Sequence, residues 1–209
     1  MKELRVIPLS SYIRAYGEEG ARARLAGFSC AGLSSEVEEY LHGQAFRHSL
    51  KKTSITYLVF ADGNDAECLA YYTLAIKPFA ISFSRLTARQ KDAMKDMARV
   101  SISSEKKSYG ISSYLIAQLA KNFAIRGGKG VSGKALVSFI LNQIRGVREQ
   151  VGGKVVFLEY EKGNAKLREF YRLCGFEEFK IPSDSEDSGQ LGQMFCFLND
   201  EPPTGGSGS

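Results

Sequence analysis

The sequence predicts a single α/β domain, on three observations. Short runs with a two-residue alternation of apolar and polar side chains, such as Ser54 to Phe60 and Gln193 to Leu198, read as strands. A longer run at helical spacing, Ala135 to Val151, puts Leu136, Phe139, Ile140, Ile144, Val147 and Val151 on one face. The two kinds of run are interleaved along 209 residues that are 44% hydrophobic and 24% charged, a globular composition and a length that can bury a real core.

In chain order, Leu4 to Leu9 reads as a strand closed by Pro8, and Glu18 to Leu25 as a short charged helix. Ser34-Ser35-Glu36-Val37-Glu38 places acids in a first helical turn, where they complement the dipole. That helix is expected to run to about His48 with Val37, Tyr40, Leu41 and Ala45 inward. Ser54 to Phe60 and Glu67 to Ile76 form a hairpin about the turn Ala61-Asp62-Gly63-Asn64-Asp65, and the chain stays extended around Pro78 as far as Phe83. Leu86 to Met97 is a polar helix capped by Thr87, and Ser101 to Ser108 a polar loop into the central strand, with its apolar run Tyr114 to Ala120. Then come the loop Gly127-Gly128-Lys129-Gly130-Val131-Ser132-Gly133, a helix capped by Ser132 and stopped by Gly152-Gly153, and the strand Val155 to Leu158. Asn164 caps a last helix with Leu167, Phe170, Tyr171 and Cys174 as its apolar face, and Gly175 ends it. Ser183 to Gly192 is a polar loop before an edge strand, Gln193 to Leu198. The domain spans residues 1–200; the tail 201–209, ending Gly-Gly-Ser-Gly-Ser, has the composition of an added flexible linker.

No apolar run reaches the length of a membrane span, and Met1 to Ser10 has no signal-peptide core. Cys30, Cys68, Cys174 and Cys196 are scattered without a C-x-x-C pair, which points to reduced thiols in a cytoplasmic protein. His42 and His48 are the only histidines, and no further ligands stand at metal spacing, so no metal is expected. The net charge of +5 is uneven. Between Lys121 and Arg172 eleven Lys and Arg face four acids, a local balance of +7, whereas Ile181 onward carries five acids and no base. Such a basic stretch is either a solvated helix face or a surface for a polyanion.

Glycines feeding a helix N-terminus make an anion site, because free N–H groups and the helix dipole point at one place. Two familiar phosphate patterns fit the loop by spacing. Gly128, Gly130 and Gly133 satisfy the dinucleotide pattern G-x-G-x-x-G, and Gly128, Gly133 and Lys134 begin a P-loop. Both fit poorly: Ala135 stands where a P-loop needs a magnesium-binding hydroxyl, and Lys121 to Gly127 separate the strand from the glycines.

A third pattern uses the whole stretch. Gly133 and Ala135 match the end of [Q/R]-x-x-G-x-[G/A], with Gly130 where Gln or Arg is usual and a loop about four residues longer than is typical. Asn164, Leu167, Phe170, Tyr171, Gly175 and Phe176 fall in the register N-x-x-[A/L]-x-x-[L/F]-Y-x-x-x-G-F. In these the chain resembles the GNAT superfamily of acetyl-CoA-dependent N-acetyltransferases, over roughly residues 53–198. The Leu119-Ala120 strand end, the Val151-Gly152-Gly153 link and Glu169-Phe170-Tyr171 resemble its toxin-like branch, whose members acetylate aminoacyl-tRNA.

The resemblance implies a mixed, mostly antiparallel sheet splayed at its central strand and flanked by helices. It implies acetyl-CoA as co-substrate, its pyrophosphate on the backbone of Gly130, Val131, Ser132, Gly133, Lys134 and Ala135, and its acetyl carbonyl near the backbone of Leu119 and Lys121. Asn164 contacts CoA, caps its helix, or does both. Tyr171 protonates the departing sulfur or simply packs; a phenol near ~10 is a reasonable acid for a thiolate near ~8.5. Glu159 is the one candidate base, through water, unless a Lys or Arg neutralises it. An α-amine near ~7.7 needs no strong base, unlike a lysine near ~10.4. The acceptor is an amine of tRNA, of a small molecule or of a protein; a homodimer or an antitoxin-like partner is implied by the branch, and a catalytically silent partner-binding protein is the alternative from another class.

Overall fold

Pro8, with φ −59°, turns the chain from strand β1 (Leu4–Pro8) directly into helix α1 (Leu9–Leu25). The structure is a computed structural model and describes residues 4–95, 99–102, 107–179 and 191–198. The tail 201–209 and most of the loop from Ser183 to Gly192 lie outside the described residues. After α1 come α2 (Ser35–His42), α3 (Gln44–Lys51), β2 (Ile55–Ala61), β3 (Asn64–Ser82), α4 (Ala88–Met94), β4 (Arg99–Ile102) and β5 (Lys107–Lys121). Then follow α5 (Gly133–Val151), β6 (Val155–Glu161), α6 (Ala165–Leu173), β7 (Glu177–Glu178) and β8 (Leu191–Phe197). The strands form one sheet in the order β1-β2-β3-β5-β6-β8-β7, with β4 paired to β5. The pairs β1·β2, β2·β3, β4·β5, β6·β8 and β7·β8 are antiparallel, so the expected α/β fold with a mostly antiparallel sheet is the observed one.

The chain divides into two compact units, Met1–Ile76 with Leu115–Ser138, and Lys77–Tyr114 with Phe139–Ser209. In the first unit α1, α2 and α3 bury Leu9, Tyr12, Ile13, Leu25, Leu41 and Phe46 against Leu58, Phe60 and Tyr71 of the β2–β3 hairpin. Tyr12 stacks on Phe60 at 5.5 Å between ring centres, and Tyr71 donates its hydroxyl proton to the Val37 carbonyl. In the second unit Val155, Val156, Phe157 and Leu158 are all buried, so β6 is covered on both faces. Phe179 stacks on Phe195 at 4.4 Å, and Tyr160 lies over Gly192, where a Cβ would come within 2.5 Å of the ring. Thr87 closes a capping box on α4, accepting from the Gln90 N–H while the Gln90 side chain accepts from the Thr87 N–H.

Four boundaries differ from the sequence reading. The first helix begins at Leu9, not Glu18, with its inward residues Leu9, Tyr12 and Ile13 separated from Ala21 and Leu25 by a kink at Gly17 (φ 73°) that interrupts the periodicity. The helix expected from Ser34 to His48 is two helices broken at Gly43, whose N–H still bonds to the Glu39 carbonyl. The stretch expected as a loop from Ser101 contains the end of β4 and the start of β5, an antiparallel pair that apolar alternation does not announce. The last strand is not at the edge: β8 is covered by the two-residue β7. On α5 the inward stripe is Leu136, Val137, Ile140, Leu141 and Ile144, while Val147 and Val151 face out.

Candidate active site

The loop between β5 and α5 starts from one buried amide. Asn122 is 4% exposed; its Nδ2 donates to the Cys68 carbonyl at 2.9 Å, and its Oδ1 accepts from the Ser29 N–H at 3.1 Å and the Ala124 N–H at 3.0 Å. The backbone beside it is tied too, Asn122 N–H to Leu69 and Phe123 N–H to the Ser29 carbonyl. The seven residues from Lys121 to Gly127 that set this loop apart from the short phosphate loops are thus a braced turn. Lys121, expected near the acetyl group, turns its ammonium onto the Gly128 carbonyl at 3.0 Å and lies 5.6 Å from the centre of the Phe123 ring. Leu119 is half-buried on the same end of β5.

The glycines serve this chain's own packing. At Gly128 (φ 75°) a Cβ would meet the Phe123 ring at 3.0 Å, and at Gly130 it would meet Leu69 Cδ2 at 2.8 Å. The space beside both is filled by side chains of the protein, which accounts for the glycine spacing without a dinucleotide or a P-loop. Val131 is buried; Ser132, Lys134 and Ala135 are exposed and Gly133 half-buried. Ser132 caps α5, its Oγ accepting from the Ala135 N–H at 3.1 Å and its carbonyl from the Leu136 N–H. The N–H groups of Gly133 and Lys134 have no partner among the described residues. They form the start of a 19-residue helix, where free donors and the dipole favour an anion.

The second unit holds Tyr171, Asn164 and Glu159. Asn164 caps α6, its Oδ1 accepting from the Leu167 N–H at 3.0 Å. Tyr171 is buried between Phe170 and Phe176, and no hydrogen bond ties its hydroxyl to another described residue. Burial, aided by Cys174 nearby, pushes the phenol up to about 12, so it carries its proton at neutral pH. Glu159 is exposed on β6 and accepts from Gln193 Nε2 at 2.9 Å across the β6–β8 pair. The cation expected as its alternative partner is absent among the described residues, and the amide takes that place.

Sequence reasoning missed a network that fixes α6. Glu178 of β7 accepts from Arg168 Nε at 2.8 Å and from the Tyr160 hydroxyl, so α6, β6 and β7 are joined through one carboxylate. Burial alone would raise the Glu178 carboxyl, but the hydrogen bonds from Arg168 and Tyr160 and the guanidinium charge outweigh it and hold it low. Arg168 and Glu178 are ten residues apart on different elements, and no motif links them. At the other end of β6, Tyr114 donates to the Gly152 carbonyl, and a Cβ on Gly153 (φ 96°) would meet the Tyr114 ring at 3.0 Å.

Burial pushes the thiols of Cys30, Cys68 and Cys196 up to about 11, 12 and 12, which holds them protonated and disfavours a cysteine nucleophile. His42 meets the Phe28 carbonyl and His48 the Tyr40 hydroxyl, and among the described residues no group of His, Cys, Asp or Glu has metal-binding geometry. No helix is long and apolar enough to cross a membrane among the same residues.

No protein-family model and no curated protein matches the chain. Solved structures do. AtaT complexed with acetyl-methionyl-tRNAfMet is similar with a TM-score of 0.63 at 20% identity, covering 94% of this chain and 94% of that one. A tyrosine-to-phenylalanine mutant of KacT is similar with a TM-score of 0.64 at 18% identity, covering 94% and 95%. An AtaT mutant toxin bound to acetyl-CoA and the C-terminus of the antitoxin AtaR gives 0.57 at 19%, covering 93% and 92%. The chain therefore has the fold of AtaT and KacT along nearly its whole length, the GNAT-type fold that the resemblance implied.

Proposed function

We propose that the chain is an N-acetyltransferase that moves an acetyl group from acetyl-CoA to a primary amine, and that the amine is presented by aminoacyl-tRNA. The observation that carries the reading is the start of α5, where a loop braced by Asn122 delivers the unpartnered N–H groups of Gly133 and Lys134. Those donors, with the helix dipole, suit a pyrophosphate. The backbone from Gly130 to Ala135 holds it, and Leu119 and Lys121 flank the acetyl group. Support comes from the fold: AtaT is found with acetyl-CoA and with an acetylated aminoacyl-tRNA. The local balance of +7 from Lys121 to Arg172 supports a polyanionic acceptor over a neutral one.

In the transfer the neutral amine attacks the thioester carbonyl, the C–S bond breaks and the sulfur leaves as a thiolate. Tyr171 gives that thiolate its proton. A phenol at about 12 is a weaker acid than the free side chain, but the exclusion of water that raises it raises the thiolate as well, which narrows the gap. Glu159 takes the proton released by the amine through a water, held in orientation by Gln193. Asn164 keeps α6, and with it Tyr171, in register through its cap. The complex of AtaT with an antitoxin peptide supports a protein partner for this chain as well.

A thermal-shift series with acetyl-CoA, ATP and NAD tests the nucleotide. At a hundredfold excess over Kd, acetyl-CoA stabilises the folded chain by about 2.7 kcal/mol, and the other two leave it unchanged. Stabilisation by ATP or NAD without acetyl-CoA would overturn the assignment.

A further inference from the structure

A cavity of about 470 Å³ lies within the first unit, lined by Tyr40, Arg47, His48, Lys51, Thr53, Ser54 and Ala117. It is open to solvent over much of its extent, a cleft and not an enclosed chamber. Arg47 and Lys51 stand one helical turn apart on α3, both exposed, and neither has an ion-pair partner among the described residues. No Asp or Glu occurs from Gly43 to Ala61, so nothing on the wall neutralises them. The polar floor is already ordered: the Tyr40 hydroxyl meets His48 Nδ1 and Ser54 Oγ, both at 3.3 Å, and the Thr53 hydroxyl donates to the His48 carbonyl at 3.4 Å. Ala117 belongs to β5, two residues before Leu119.

The chemistry is that of a phosphate bound beside an aromatic ring. The Arg47 guanidinium offers a planar fork for phosphate oxygens and Lys51 a point charge, while Tyr40, half-buried and packed in part against the core, has only the rest of its ring to offer a base. The C-terminal end of α3 opposes an anion with only about half a unit of negative charge, against two full positive charges. A free phosphate would need the cations alone; the ring beside them favours a nucleotide unit of a strand.

We propose that this cavity is a phosphodiester subsite for the single-stranded end of a polynucleotide acceptor, with Arg47 and Lys51 on the phosphate and Tyr40 on the neighbouring base. It rests on the reading of the acceptor as tRNA, and it assigns that acceptor to α2, α3 and β5 in addition to the basic stretch beyond Lys121.

The test is fluorescence anisotropy of the full chain with a labelled single-stranded RNA of roughly twelve nucleotides, within the usual single-strand site size, titrated at several salt concentrations. The native protein, Arg47→Gln with Lys51→Gln, and a control that removes equal charge from α4 and the residue that follows it, Lys91→Gln with Lys95→Gln, are compared. The cavity variant is expected to bind more weakly, with a log–log salt slope smaller by about 1.4, two contacts at about 0.7 each, while the control keeps the native slope. Arg47→Lys keeps the slope and loses affinity through the missing fork, and Tyr40→Leu weakens binding without changing the slope. Equal binding by native and cavity variants, or an equal loss in the control, overturns the subsite and leaves the acceptor reading standing. Release of the RNA by inorganic phosphate at the concentration of the RNA phosphates also overturns it, in favour of a small-anion site. Absence of RNA binding by the native protein overturns the acceptor reading and the subsite with it.

Discussion

Replacing Asn122 by alanine isolates what braces the loop. The substitution removes three hydrogen bonds, and their consequences differ. The Ala124 N–H is on an exposed residue and finds water, so its loss costs little. The Cys68 carbonyl is left without the amide in a buried place, and the Ser29 N–H is left in a partly buried one. An unsatisfied buried group costs about 1–3 kcal/mol, so the pair amounts to about 2–4 kcal/mol, with the larger share from Cys68. For a chain of this size each kcal/mol moves the melting temperature by about 2–4 °C, so calorimetry should find a fall of roughly 5–15 °C. Asn122→Asp keeps an acceptor for Ser29 but turns a carboxylate toward the Cys68 carbonyl, and is expected to be no better than alanine. The same variants should bind acetyl-CoA more weakly, because the donors at Gly133 and Lys134 lose their fixed position. A melting temperature within about 2 °C of native for Asn122→Ala would refute the reasoning, since it would mean that both groups find other partners.

Tyr171→Phe keeps the ring and removes the hydroxyl; turnover should fall by about 10²–10⁴ with acetyl-CoA affinity retained, and an unchanged turnover number would return Tyr171 to packing alone. Gly133→Asp sets a carboxylate at the start of α5 and should abolish the thermal shift given by acetyl-CoA while the ligand-free chain melts as before. The Glu178 carboxyl is held below its ordinary 4.5 in the folded state, so its network adds stability above that value and loses it as the pH falls through the lower folded value. Acid melting curves should accordingly be steeper below about pH 4.5 for the native chain than for Arg168→Gln, and coincident slopes would contradict this. Thr87→Ala removes the capping box of α4 at a cost of about 1 kcal/mol, a fall in melting temperature of about 2–4 °C.

What the sequence made legible was what local chemistry decides. Ser132, Thr87 and Asn164 cap the helices they were expected to cap, because an N-cap is settled within four residues. The run Val155 to Leu158 is a buried strand, because four consecutive apolar residues leave little choice. What it hid depends on partners far along the chain. Asn122 looks like any polar residue after a strand until Ser29 and Cys68, 93 and 54 positions away, converge on it. Gly128 and Gly130 imitate a phosphate fingerprint because spacing does not say whether a ligand or Phe123 and Leu69 fill the space beside them. The half of α1 before Gly17 was lost because a positive-φ residue breaks the periodicity by which a helix is read. Tyr160, Arg168 and Glu178 come together only through the fold, and so do the α3 cations with Tyr40 and Ala117.

The most direct test of the account is transfer of label from radiolabelled acetyl-CoA to three acceptor pools offered in parallel: charged tRNA, total soluble protein, and a mixture of polyamines and amino sugars. Each is assayed at low and moderate salt. The account predicts label in the tRNA pool, released with the aminoacyl moiety by mild deacylation and weakened by salt with a slope of about −0.7 for each phosphate contact. Label confined to the protein or small-molecule pool with little salt dependence would contradict the acceptor, and bound acetyl-CoA with label in no pool would contradict catalysis itself.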